Sequence, residues 1–210
     1  LIHGLYQTQG TFYATNGSSV VVTGTGTGGT AFVSKYDNTG AFQFNLRVDG
    51  DVYDRGKKVL TDSNGYIYFA GYGATGSNTT KFYATNGSTV VSTIGNLGNH
   101  VGWFAQYDPN GGFVYNVKID GTGSDYVMTT AIDRTQGTPD IYLGGMTTST
   151  QCNFYVTSGA TIIGTIGSFG GSQTGMIARY DNSGTFKYAT RFGTVGTTIS
   201  VNNIKLDNYG

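Results

Sequence analysis

The sequence contains no Glu: its 12 acidic residues are all Asp, and Leu occurs only seven times in 210 residues. Two of the best helix formers are therefore absent or scarce. Pro occurs twice, and the 35 Gly have no three-residue period, which excludes a collagen-like chain. The single cysteine, Cys152, excludes an intrachain disulfide. Lys and Arg number 12, so charge balances. The densest basic run, Arg55, Lys57 and Lys58, is slight, and no nucleic-acid partner is expected. No apolar run approaches the roughly 20 residues of a membrane helix, so no membrane insertion is expected. No signal-peptide pattern is visible within the sequence, which begins at Leu1 and not Met.

What is abundant points one way. Aromatic residues make up 14% of the chain, which a disordered low-complexity chain would lack. Thr, Val, Ile, Tyr and Phe suit strands. The composition predicts an all-β protein.

Internal repetition sets the architecture. Phe12-Tyr-Ala-Thr-Asn-Gly-Ser18 returns as Phe82-Tyr-Ala-Thr-Asn-Gly-Ser88, and again as Phe154-Tyr-Val-Thr-Ser-Gly159. The Tyr-Asp pairs starting at Tyr36, Tyr107 and Tyr180 mark a second anchor with the same spacing of about 72 residues. Three repeats result, over about 1–60, 61–132 and 133–210. Four strands are legible per repeat, as in Tyr66–Gly71, Gly102–Tyr107, Phe113–Ile119 and Tyr126–Ile132, with Asp108-Pro-Asn-Gly111 as a turn. Four antiparallel strands are the content of a propeller blade. A blade takes roughly 40–50 residues, and the excess carries Asn-Gly between β-rich runs, a strong hairpin signal. The prediction is three propeller-like blades, each with an added hairpin centred near Asn16, Asn86 and Ser158. The repeated Phe-Tyr pairs imply that these hairpins are buried against other blades or molecules. Leu1–Gly4 aligns with the middle of the strand ending at Gly71, so the three repeats are expected to belong to a longer chain or an assembly. The alternative is a closed, prism-like body of three sheets.

Asp62-Ser-Asn-Gly-Tyr-Ile-Tyr-Phe-Ala-Gly71, Phe104-Ala-Gln-Tyr-Asp108 and Gly123-Ser-Asp-Tyr126 resemble SBBP-type β-propeller repeats. The resemblance covers all three repeats and is best in the second. It implies a protein of the extracellular space, cell surface or virion surface, without catalysis, and supplies no catalytic residues.

The residues themselves offer few chemical constellations. Asp37, Asp62, Asp108, Asp181 and Asp207 stand in Asp-x-x-Gly sequences, read as turn caps with Gly supplying positive φ. Asp49, Asp51 and Asp54 cluster, with Asp120 and Asp125 at the matching place. Calcium favours such oxygens, yet no full calcium-loop pattern is present. Surface turns are the preferred reading, and no metal or cofactor is assigned. His3 and His100 fit neither a zinc spacing nor a hydrolase triad. Cys152 falls in a variable loop and reads as a free or buried thiol. Asn16, Asn78 and Asn86 lie in sequons, open to glycosylation in a secretory pathway. The expectation is a non-enzymatic structural or interaction module whose partners are protein subunits or further blades. The alternative is a lectin-like propeller that binds glycans through Tyr, Trp103 and Asn.

Overall fold

A computed structural model describes the chain except residues 26, 51, 75–78, 86–88, 96–97, 136–137, 157–160, 171 and 208–210. The fold is all-β. Its strands, in chain order, are β1 (Ile2–Tyr6), β2 (Gln9–Tyr13), β3 (Ser19–Thr23), β4 (Thr30–Tyr36), β5 (Phe42–Gly50), β6 (Asp54–Thr61), β7 (Ile67–Ala74), β8 (Thr79–Tyr83) and β9 (Val90–Gly95). They continue as β10 (His100–Tyr107), β11 (Phe113–Gly121), β12 (Asp125–Asp133), β13 (Asp140–Thr147), β14 (Cys152–Tyr155), β15 (Ile162–Ile166), β16 (Thr174–Asp181) and β17 (Phe186–Phe192).

Three sheets are built on antiparallel meanders. Sheet I runs β1-β4-β5-β8-β9, sheet II β6-β7-β10-β11-β14-β15, and sheet III β12-β13-β16-β17. Sheets II and III each contain a four-stranded meander, β6-β7-β10-β11 and β12-β13-β16-β17; the strand at 126–132, expected to share one blade with 66–71, 102–107 and 113–119, instead opens sheet III as part of β12. The hairpins behave differently from a simple insertion: each extends the sheet of the preceding repeat. β8 pairs with β5, placing Phe82 opposite Val48 and Tyr83 opposite Arg47. β14 pairs with β11, placing Phe154 opposite Ile119. The first hairpin, β2–β3, forms a two-stranded sheet.

The reason for stacking lies in the alternation of side chains along the strands of sheet II. Ile67 and Phe69, with Val101, Trp103 and Ala105, face Val33 and Leu46 of sheet I in one core. Tyr68 and Ala70, with Phe104, face Leu143 and Met176 of sheet III in a second core. Both faces of sheet II are apolar and both need cover. That explains why the prism-like alternative is not adopted. β1 pairs with β4, β17 pairs with β16, and none of the sheets closes. Sheets I and III lie on opposite faces of sheet II.

The first strand of each meander crosses the face of the sheet before it, β6 on sheet I and β12 on sheets II. Residues 199–207 lie on sheet III in the same manner: the Ile199 amide donates to Gln173 O (3.0 Å) and the Val201 amide to Gly145 O (3.1 Å). Glycine permits this approach. A Cβ on Gly102 would stand 2.9 Å from Val127 Cγ2, and one on Gly175 would stand 2.8 Å from Ile199 Cγ2.

Candidate functional site

The densest group of polar rings lies where the repeats meet. Tyr53 follows β5, Tyr72 lies in β7, His100 opens β10, and Tyr126 lies in β12. His100 Nε2 is 2.7 Å from the Tyr53 hydroxyl. Its Nδ1 is 3.0 Å from both Ser124 Oγ and the Tyr126 hydroxyl. The Tyr72 and Tyr126 rings meet edge to face at 4.7 Å, and the His100 and Tyr126 rings are also 4.7 Å apart. Cations border the group: the Arg55 guanidinium is 5.1 Å from the Tyr53 ring centre and Lys57 Nζ 5.3 Å from that of Tyr72.

Burial sets the charge states. It lowers the pKa of His100, so the imidazole is held neutral. Burial, then the Arg55 charge, lowers that of Lys57. Burial raises Tyr53 and Tyr72, keeping both phenols protonated. A neutral imidazole among phenols, edged by cations, presents hydrogen-bonding groups and ring faces together. This cluster was hardly legible in the sequence, since its members lie far apart and His100 sits in no motif. Tyr53 and Tyr126 flank the matching aspartates Asp54 and Asp125, but on opposite sides, so the repeat does not pair them.

A second feature is a cleft of about 320 Å³ between β6, β12 and residues 203–206. Lys58, Arg134 and Lys205 line it with Leu60, Ile132 and Ile204. Arg134 donates to the Thr61 carbonyl. Three cations on one cleft would attract an anion.

The aspartates divide into two kinds. Asp37, Asp62, Asp108 and Asp181 cap turns: Asp62 Oδ1 accepts from the amides of Asn64 and Tyr66, and Asp108 Oδ1 from those of Asn110 and Gly112. Gly65 (φ 84°) and Gly111 (φ 85°) take up the left-handed conformation that completes these turns. Asp207 lies beside residues outside the described set.

Asp49, Asp54, Asp120 and Asp125 are instead fully buried, against the expectation of surface turns. Asp49 accepts from the Thr25 and Thr30 hydroxyls at 2.8 and 3.0 Å, and Asp54 from the Thr80 hydroxyl at 3.0 Å. These acids therefore bind donors on separate segments rather than converging. Asp51 lies outside the described residues. Among the described residues, no three His, Cys or acidic side chains converge as a metal site. The sequence signal for burial was present but ambiguous, because Asp next to Gly at a strand end also reads as a turn.

Cys152 is the first residue of β14, not a loop residue, and is a buried free thiol. Burial, then the neighbouring Asp125 charge, raises its pKa well above the ordinary value. Trp103, a glycan contact in the lectin-like alternative, is buried in β10 against Phe69 and Phe82. Among the sequons, Asn16 is exposed at the β2–β3 turn, its Oδ1 accepting from the Ser18 amide and hydroxyl. Asn78 and Asn86 lie outside the described residues, as does Ser158. Compared with known proteins, the chain matches no family model and no curated protein.

Proposed function

We propose that this chain is a non-catalytic structural and interaction module, a propeller-type repeat unit of a surface or particle assembly whose partners are other protein subunits. The observation that carries this reading is the exchange of hairpins. β8–β9 and β14–β15 each complete the sheet of the preceding repeat, so the repeat is built to join to its neighbour. Buried polar groups serve that architecture: Asp49, Asp54 and Asp125 tie strands and loops together, and His100 bridges Tyr53, Ser124 and Tyr126. The likeness to SBBP-type repeats and an extracellular or virion-surface location accord with a neutral, Thr- and Tyr-rich chain. Sedimentation velocity across a concentration series tests the reading. Reversible association is expected, and a monomer at every concentration would overturn it.

A lectin-like reading is favoured by one observation, the Tyr53–Tyr72–His100–Tyr126 cluster with Arg55 and Lys57 at its edge. A glycan array distinguishes the two. Binding that is abolished by Tyr53→Ala, in a chain that does not associate, would establish the second reading in place of the first.

A further inference from the structure

The junctions between repeats follow one rule, and the rule names the surfaces left over. At each junction a cation of the receiving strand stacks on the hairpin tyrosine. Arg47 Cζ lies 3.7 Å from the Tyr83 ring centre, and Lys118 Nζ lies 4.1 Å from that of Tyr155. The same cation reaches a carbonyl at the end of its own repeat's hairpin: Arg47 bonds Thr23 O, and Lys118 Nζ bonds Gly95 O at 3.0 Å. β17 repeats this receiving strand. Aligned from Phe42, Phe113 and Phe186, Arg191 falls at the place of Arg47 and Lys118, and Phe192 at that of Val48 and Ile119. Arg191 also bonds the matching carbonyl, Gly167 O, at 2.6 Å. Yet among the described residues the outer edge of β17 pairs with no strand. Phe192 is 40% exposed, whereas Val48 and Ile119 are buried.

The complementary half stands at the other end of the stack. In β2–β3, Phe12 packs on Phe42 as Phe82 packs on Phe113 and Phe154 on Phe186. The hairpin is therefore already in the donor orientation. Among the described residues the outer edge of β2 pairs with no strand, and Tyr13 is 66% exposed where Tyr83 and Tyr155 are 5% and 4%. A second complementary pair lies alongside. β6 pairs with β7 within sheet II. Residues 199–206 occupy the place of β6 against the next sheet, and β1 occupies the place of β7, but neither has that partner among the described residues. Ile2 and Leu5 of β1, and Leu1 just ahead of it, are correspondingly exposed.

We propose that a second copy of this chain covers these edges, head to tail. Its β2–β3 hairpin adds to β17 of the first copy, with Tyr13 opposite Arg191 and Phe12 opposite Phe192. Its β1 pairs with residues 199–206. The junction between copies then repeats the junctions inside the chain, and the occupant is chosen because one chain carries both halves of the match. Such an interface is heterologous, so it propagates into a filament or closes into a ring. It rests on the reading of the chain as an interaction module and names that module's partner.

Two single-cysteine variants, Tyr13→Cys and Arg191→Cys, are mixed and oxidised. Directly opposed strand residues stand about 4.5–5.5 Å apart at Cα, within disulfide reach, and the native Cys152 is buried. A disulfide-linked dimer is expected in the mixture and in neither variant alone. Tyr13→Lys, which sets a second cation opposite Arg191 at an exposed position, should weaken association at least tenfold while leaving the circular dichroism unchanged. Adding Arg191→Asp to that variant should restore association. Oligomers that form without the Tyr13–Arg191 crosslink would overturn this inference and leave the module reading standing. A chain that stays monomeric throughout would overturn both.

Discussion

Asp49 shows how a single buried carboxylate organises a loop. Its oxygens accept from Thr25 and Thr30, and Arg47 Nε lies 3.7 Å away, with the Asp49 side chain fully buried. Removing it strands these donors and leaves a buried cation. Asp49→Ala is expected to cost about 3 kcal/mol, measured by urea unfolding, since breaking a buried pair exceeds the value of an ordinary hydrogen bond. Asp49→Asn, which keeps an acceptor, should cost less. His100 acts through protonation. Its folded pKa lies below the ordinary 6.5 because of burial, so below pH 6.5 the unfolded chain binds a proton more readily than the folded one. Its contribution is complete above pH 6.5 and is lost as pH falls towards the folded pKa. His3 is shifted the same way by burial and by the Lys58 charge. The melting temperature should drop between pH 7 and pH 5.5, and His100→Gln should shrink the drop. A drop of unchanged size in the variant would contradict this role.

At the scale of the element, the hairpin is the unit that distinguishes this chain from a plain meander. It is bonded by its edge to one sheet and packed by its aromatic face on the next. Phe82 and Phe154 are wholly buried at this double contact. Phe82→Ala and Phe154→Ala are each expected to cost about 3–5 kcal/mol, as for other buried aromatics. The same hairpin position at the first repeat should be nearly silent in dilute solution: Tyr13→Ala should stay within about 0.5 kcal/mol, whereas Tyr83→Ala should cost several times more. Thermal melts of the four variants at low protein concentration check the contrast.

Across the whole molecule, none of the three large sheets is made from one repeat alone: sheet III takes β12 from the second repeat. Sheets I and II each borrow a hairpin from the repeat that follows, and sheet II contributes to both cores. Repeat stability and neighbour interfaces are thereby fused, unlike a solenoid whose units fray separately. Chemical unfolding should be a single transition, with tryptophan fluorescence from Trp103 and far-ultraviolet circular dichroism coinciding. Two separated transitions would show that the repeats unfold independently.

The sequence alone determined the strands, because period-two alternation and Asn-Gly or Asp-x-x-Gly turns are local properties. β7, β10, β11 and β12 lie where aromatic and β-branched runs place them, and the turn aspartates cap as their spacing requires. It also determined the threefold recurrence, which is visible in the Phe-Tyr and Tyr-Asp anchors without any contact. Pairing across repeats was decided only in three dimensions. Nothing local distinguishes a hairpin that extends its own sheet from one that joins the sheet before it, since the same β8 edge could serve either. The joining of Tyr72, His100 and Tyr126 follows from β12 crossing sheet II, whereas the burial of Asp49 opposite β8 and the exposure of Tyr13 beside the burial of Tyr83 follow from that choice of edge. It depends on residues about 35 positions apart, and on two apolar faces of sheet II that must both be covered.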